Sequence, residues 1–125
     1  MKFRCFDLET TGLPSDDEDG PPAGIMEIGW CDFDTDAHQD DGGFTGRPES
    51  VLVDCGIPVT IEARAVHHIS DAMVAGERNP TEACAMLADG DHEYLVAHNV
   101  DHEKRYVGAG VVPGTDTERQ WLCTY

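Results

Sequence analysis

Positive charge is scarce in this sequence. Only 8 Lys and Arg stand against 25 Asp and Glu among 125 residues, a formal net charge of −17. Most faces must carry a negative potential, so a polymer of phosphates is repelled unless carboxylate-held divalent metals supply the missing charge. The same excess of Asp over Lys suits a salt-rich cytoplasm, where screening shortens electrostatic reach to about 3 Å near molar ionic strength. Long apolar runs are also missing. No stretch approaches the roughly 18 residues that a membrane-spanning helix requires, and Met1-Lys2-Phe3-Arg4-Cys5-Phe6-Asp7 places charges where a signal peptide needs an apolar segment. A soluble, cytoplasmic protein without a membrane partner is expected. The five cysteines, Cys5, Cys31, Cys55, Cys84 and Cys123, contain no CxxC pair, which removes the usual zinc and redox signatures and leaves reduced, mostly buried thiols. Internal repeats are absent, and the length fits one domain over residues 1–125.

What remains reads as alternating short strands and helices. Phe3 to Leu8 is an apolar run ending in Thr-Thr-Gly, a buried strand entering a loop. Ser15 to Pro22 is too acidic and too rich in Gly and Pro to pack, so it reads as solvated loop. Strands are expected at Ile25 to Phe33 and Val51 to Cys55, an antiparallel pair joined by an acidic connection from Asp34 to Ser50. Ile61, Ala65, Val66 and Ile69 recur at helical spacing after Pro58. Asn79-Pro80-Thr81-Glu82 offers a cap, a proline at the first helical position and a glutamate at the third, predicting a helix from Pro80 to about Asp89 that stops at Gly90. Tyr94 to Ala97 and Gln120 to Tyr125 read as strands, with a helix over Val100 to Val107 between them. The order predicts an α/β fold, a mixed sheet with helices on its faces and polar clusters at strand ends.

Asp7 and Glu9 are one residue apart on or just beyond a strand, and a period of two puts both carboxylates on one face. They repel unless a proton or a cation sits between them, and hard oxygen donors suit Mg²⁺ or Mn²⁺. A capped turn with a locally bonded Asp is the alternative reading. The flanking residues bear on the choice: Phe6-Asp7-Leu8-Glu9-Thr10-Thr11-Gly12-Leu13 resembles the first motif of the DEDD exonuclease superfamily, which includes the epsilon subunit of bacterial DNA polymerase III and ribonuclease T. Ile25-Met26-Glu27-Ile28-Gly29 resembles the family's second strand, and Ala65-Val66-His67-His68-Ile69-Ser70 resembles a helix ending in Val-His-Gly-Ile. Ala97-His98-Asn99-Val100-Asp101-His102-Glu103 resembles the His-Asn-Ala-x-Phe-Asp motif, with Glu103 where the family has Asp and His102 where it has Phe. Asp101 is the competing carboxylate in that segment, and Trp121-Leu122-Cys123-Thr124 resembles a later strand.

The resemblance implies an RNase H-like sheet with a three-strand antiparallel start followed by parallel strands. It implies a metal-dependent 3′-to-5′ exonuclease that shortens single-stranded DNA or RNA from its 3′ end by two-metal hydrolysis. Asp7, Glu9 and Glu103 would be the catalytic metal ligands, Thr10, Thr11 and Gly12 would meet the terminal nucleotide, and His98 and Asn99 would line its pocket. A DNA polymerase is an implied partner. The family also carries a third motif, a general-base His followed after four residues by Asp, or a Tyr in one branch. Here the fifth residue after His67 is Ala72, after His68 is Met73 and after His98 is Glu103, and Tyr94 and Tyr106 fare no better. His67, His68, His92 and His102 remain as stand-in bases, though each is more readily read as helix or loop surface. A C-terminally incomplete domain of weak or absent activity is therefore expected. A non-catalytic nucleic-acid or polymerase-associated binding module on the same fold is the alternative.

Overall fold

The computed structural model describes residues 1–13, 23–37, 43–111 and 120–125; the expected loop from Ser15 to Pro22 lies outside them. In chain order the elements are β1 (Lys2–Thr10), β2 (Ile25–Asp34), β3 (Glu49–Leu52), α1 (Ile61–His67), α2 (Asp71–Val74), α3 (Pro80–Ala88), β4 (Tyr94–Ala97), α4 (Val100–Val111) and β5 (Gln120–Cys123). The strands form one sheet in the order β3-β2-β1-β4-β5. β1 pairs antiparallel with β2, and β2 with β3, whereas β1–β4 and β4–β5 are parallel. The expected mixed sheet is the one that forms. Among the described residues no helix is long and apolar enough to cross a membrane.

Alternation along β1 separates two faces. Arg4, Phe6 and Leu8 are buried, while Phe3, Cys5, Asp7 and Glu9 face the other way and are half-buried or exposed. The buried face packs with Ile28 and Trp30 of β2 against Cys84 and Leu87 of α3 and Val100 and Val107 of α4. Arg4 sits in this apolar layer because every edge of its guanidinium is used. Nε and Nη2 each donate to Asp32 at 2.7 Å, directly across the ladder, and Nη1 donates to the carbonyls of Met86, Leu87 and Asp89 at 3.0, 2.9 and 2.6 Å. One side chain thus neutralises a carboxylate and satisfies the last carbonyls of α3, while its carbon lies 5.6 Å from the Trp30 ring centroid.

Helix α3 follows its sequence signal. Asn79 Oδ1 accepts from Glu82 N at 3.0 Å, Glu82 Oε2 accepts from Asn79 N at 3.2 Å, and Gly90 takes φ +118° just beyond the end. The apolar run Val51 to Cys55 does not stay a strand. Val53 N still donates to Met26 O at 2.8 Å, but Asp54 N turns to Arg78 O at 2.8 Å, so the run divides between two partners and β3 ends at Leu52. Helix α1 begins at a Thr60 cap and ends at His68, in the left-handed region at φ 64°, before it reaches Ile69. Its apolar positions do not enter the core: Ile61 and Val66 are 85% and 77% exposed, and only Ile69 beyond the helix is buried. The one-turn α2 carries no side-chain cap and was not expected.

Candidate active site

The site lies at the carboxyl ends of β1 and β4, neighbouring parallel strands separated in sequence by the α1–α3 crossover. β1 presents Asp7, exposed, and Glu9, half-buried, on one face, and its ladder shifts register between Glu9 and Thr10. Glu103 comes from the first turn of α4 and is 4% exposed, whereas the competing Asp101 faces solvent. Asn99 fixes this turn: its carbonyl accepts from Glu103 N at 3.1 Å, and its side-chain oxygen accepts from His102 N at a long 3.4 Å. Burial, reinforced by the negative charges of Asp7 and Glu9, pushes the Glu103 carboxyl up to about 7. Burial also raises Glu9, with Asp7 and Glu27 adding to the rise and His67 opposing it. The three carboxylates therefore form one electrostatic unit, although drawn from two elements.

The loop after β1 is gripped from three sides. Thr11 is buried, its hydroxyl accepts from Gly24 N at 2.9 Å, and its carbonyl accepts from Thr60 N at 2.8 Å. Its polar groups are thus spent inside the protein; Thr10 Oγ1 also donates internally, to Gly12 O at 3.1 Å, although Thr10 and Gly12 border a cavity. A Cβ on Gly12 would stand 3.1 Å from Thr60 Cγ2, which explains glycine at that close approach. Tyr106 Oη donates to Gly12 O at 2.6 Å, and burial, with Glu103 adding, raises the phenol's pKa. His67 Nε2 donates to Thr10 O at 3.0 Å while its Nδ1 accepts from Ile69 N at 3.0 Å, a pairing that selects the Nε2–H tautomer. Sequence reasoning missed Tyr106 as an anchor, although its spacing of three from Glu103 places both on one side of a helix. His67 is engaged in holding the loop rather than standing free as a base.

The cavity, about 480 Å³, is walled by Glu9, Thr10, Gly12, Leu13 and residues of α1 and its cap, including Val66 and His67. Leu13 at 79% exposed and Val66 form an apolar lip on the cavity that Glu9 also walls, whereas Asp7 and Glu103 are not among its walls. His98 and Asn99 are not among its walls. His98 instead turns to the β5 side, its Nδ1 3.3 Å from Thr124 Oγ1 and its ring edge-on to Tyr125 at 5.6 Å, while Asn99 is occupied as the α4 cap.

Among the described residues, no group of three His, Cys, Asp or Glu side chains is drawn close enough to hold a metal ion as it stands. The donor chemistry nonetheless fits one. Glu103 Oε2 is buried without any hydrogen-bond partner, beside two further carboxylates whose charges it feels. An orphaned carboxylate oxygen in a cluster of hard oxygen donors is the arrangement that a small divalent cation satisfies.

Comparison with known proteins bears on the fold. No protein-family model and no curated protein matches the sequence. Among solved structures, exonuclease X in complex with 5′ overhanging duplex DNA superposes with a TM-score of 0.68 at 30% identity, covering 97% of this chain. This chain spans 58% of that one. The metal-free and zinc-bound forms of the E. coli exonuclease I–single-stranded DNA complex superpose with TM-scores of 0.71 and 0.69 at 13% and 12% identity, each covering 97% of this chain and 27% of its own. The mixed five-stranded sheet with flanking helices is thus the RNase H-like fold shared with these exonucleases.

Proposed function

We propose that this chain is the exonuclease-like core of a metal-dependent phosphodiester hydrolase of the DEDD superfamily that shortens nucleic acids from the 3′ end. The observation that carries this reading is the buried, unpartnered Glu103 Oε2 in a cluster with Asp7 and Glu9, the last of which walls an apolar-lipped cavity. Asp7, Glu9 and Glu103 are the ligands for Mg²⁺ or Mn²⁺. When bound, the ions supply Lewis acidity and the positive charge that a −17 chain otherwise denies a phosphate. Leu13 and Val66 offer an apolar surface for the terminal base and exclude water from one side of the cavity. Thr10 and Gly12 border the same cavity, held in place by His67 and Tyr106. The substrate is single-stranded DNA or an unpaired 3′ end; RNA shares the backbone chemistry.

The engagement of His67 with Thr10 O and Ile69 N, which keeps it from standing free as a base, favours a second reading. On it the same site binds a 3′ end, alone or beside a polymerase, without cleaving it, since loss of a general base removes about 10² to 10⁴ in rate. An end-labelled single-stranded oligonucleotide incubated with Mn²⁺ separates the two. Stepwise 3′ shortening that disappears in Asp7→Asn supports the hydrolase. Metal-dependent binding with no shortening supports the binding module, and neither binding nor shortening defeats both.

A further inference from the structure

The face of β1 that carries Asp7 and Glu9 also carries Cys5, two residues before Asp7, and the ladder places Cys5 directly opposite Cys31 of β2. We infer that Cys5 and Cys31 together form a two-thiolate site for a soft, two-coordinate cation of the Cu⁺ class. Both are reduced and partly exposed, unlike the buried Cys84. The ladder geometry favours a bridging ion over a disulfide. Thr35 N donates to Met1 O at 3.0 Å, and alternation from that bond makes Cys5–Cys31 a hydrogen-bonded pair. Opposed Cβ atoms in such pairs lie near the wide end of about 4.5–5.5 Å, beyond the ~3.8 Å that a disulfide prefers. An ion held between two thiolates spans such a gap without drawing the Cβ atoms to the disulfide separation. No third His, Cys, Asp or Glu joins the pair in a metal-holding group among the described residues, which selects ions content with two soft ligands over zinc. On binding, each thiol releases its proton to solvent, two metal–sulfur bonds form, and no electron is transferred.

The test reads metal rather than nuclease activity, so it stands whether or not the chain cleaves nucleic acid. The reduced chain is titrated anaerobically with Cu⁺ against a chromogenic chelator, with stoichiometry read by native mass spectrometry. One Cu⁺ per chain is expected. Cys5→Ser and Cys31→Ser should each weaken binding by about tenfold or more, because the second thiolate otherwise binds intramolecularly, while Cys55→Ser and Cys123→Ser should leave it unchanged. Retained affinity in both site variants, or its loss in either control, overturns the inference. If the site variants fail to fold, the wild-type chain is treated with a bifunctional trivalent arsenical and digested. A bridge mapped between Cys5 and Cys31 supports the site, and no bridge or one between other cysteines overturns it.

Discussion

Replacing Glu103 with Gln should make the metal-free protein more stable at alkaline pH, against the usual expectation for a change at a buried polar position. In the unfolded chain this carboxyl titrates near 4.5, and in the folded protein burial beside Asp7 and Glu9 raises it to about 7. Below 4.5 both states are protonated and the group is neutral in its effect. Between the two values the folded state holds a proton that the unfolded state has lost, so stability falls as pH rises through this window. Above 7 the folded state carries the full penalty of a buried, repelled charge, up to about 3 kcal/mol. Glu103→Gln removes that penalty. In EDTA the variant should exceed the wild type by about 2–3 kcal/mol at pH 8 and by less than about 1 kcal/mol at pH 5, read from urea unfolding with unchanged slope. Adding Mn²⁺ at pH 8 should reverse the order, because only the wild type keeps all three carboxylates for an ion that binds the folded state. A variant less stable than wild type at pH 8 in EDTA, or an advantage equal at pH 5 and pH 8, would refute the electrostatic account of the site.

Three other substitutions or conditions test neighbouring steps. Arg4→Ala strands Asp32 and uncaps three carbonyls of α3, so it should cost about 3 kcal/mol in chemical denaturation; a loss below about 1 kcal/mol would show that the ion pair is not structural. Tyr106→Phe removes the hydroxyl that holds Gly12 O and should cost about 1 kcal/mol. It should also raise the KM for an oligonucleotide more than it lowers kcat, and the reverse pattern would place Tyr106 in the chemistry. The cavity wall contains no Lys or Arg, so at fixed Mn²⁺ the logarithm of oligonucleotide affinity should fall with the logarithm of NaCl concentration with a slope shallower than about −2. A slope near −5 would reveal basic contacts outside the cavity.

The elements written in short-range chemistry could be read from sequence, and those decided by distant contacts could not. Asn79, Pro80 and Glu82 specify α3 within four residues, because a capping box is a local device. The alternation of Phe6 and Leu8 with Asp7 and Glu9 likewise fixed the carboxylate face. Val51 to Cys55 misled because Asp54 finds its partner at Arg78, 24 positions away, a pairing that no window of sequence reveals. Helix α1 was legible from the helical spacing of its apolar residues, but its surroundings were not: Ile61 and Val66 stay exposed, and Val66 walls a cavity. The burial of Arg4 was not legible in the sequence, because its four acceptors lie at positions 32, 86, 87 and 89. The site divides along the same line. Glu103 was singled out through a motif, and it is buried where Asp101 is exposed, whereas the engagement of Thr11, His67 and Tyr106 with backbone groups appears only in three dimensions.

Charge balance explains why the carboxylates of the site sit where they do. Three neighbouring acidic side chains, of which Glu9 borders the cavity, repel a phosphate and one another, and burial together with that repulsion raises the Glu103 carboxyl. Two divalent ions would bring four positive charges against three negative ones, turning the local sign from repulsive to attractive while the surface elsewhere stays acidic. On the proposed reading, a polymer of phosphates would then be drawn to the metal-loaded site and turned away by the remaining faces. Such a surface would confine attraction to one end of a strand, where a patch of lysines would hold it along its length. The acidity that seems to exclude nucleic acid from this protein is thus compatible with a site that accepts it in a single place.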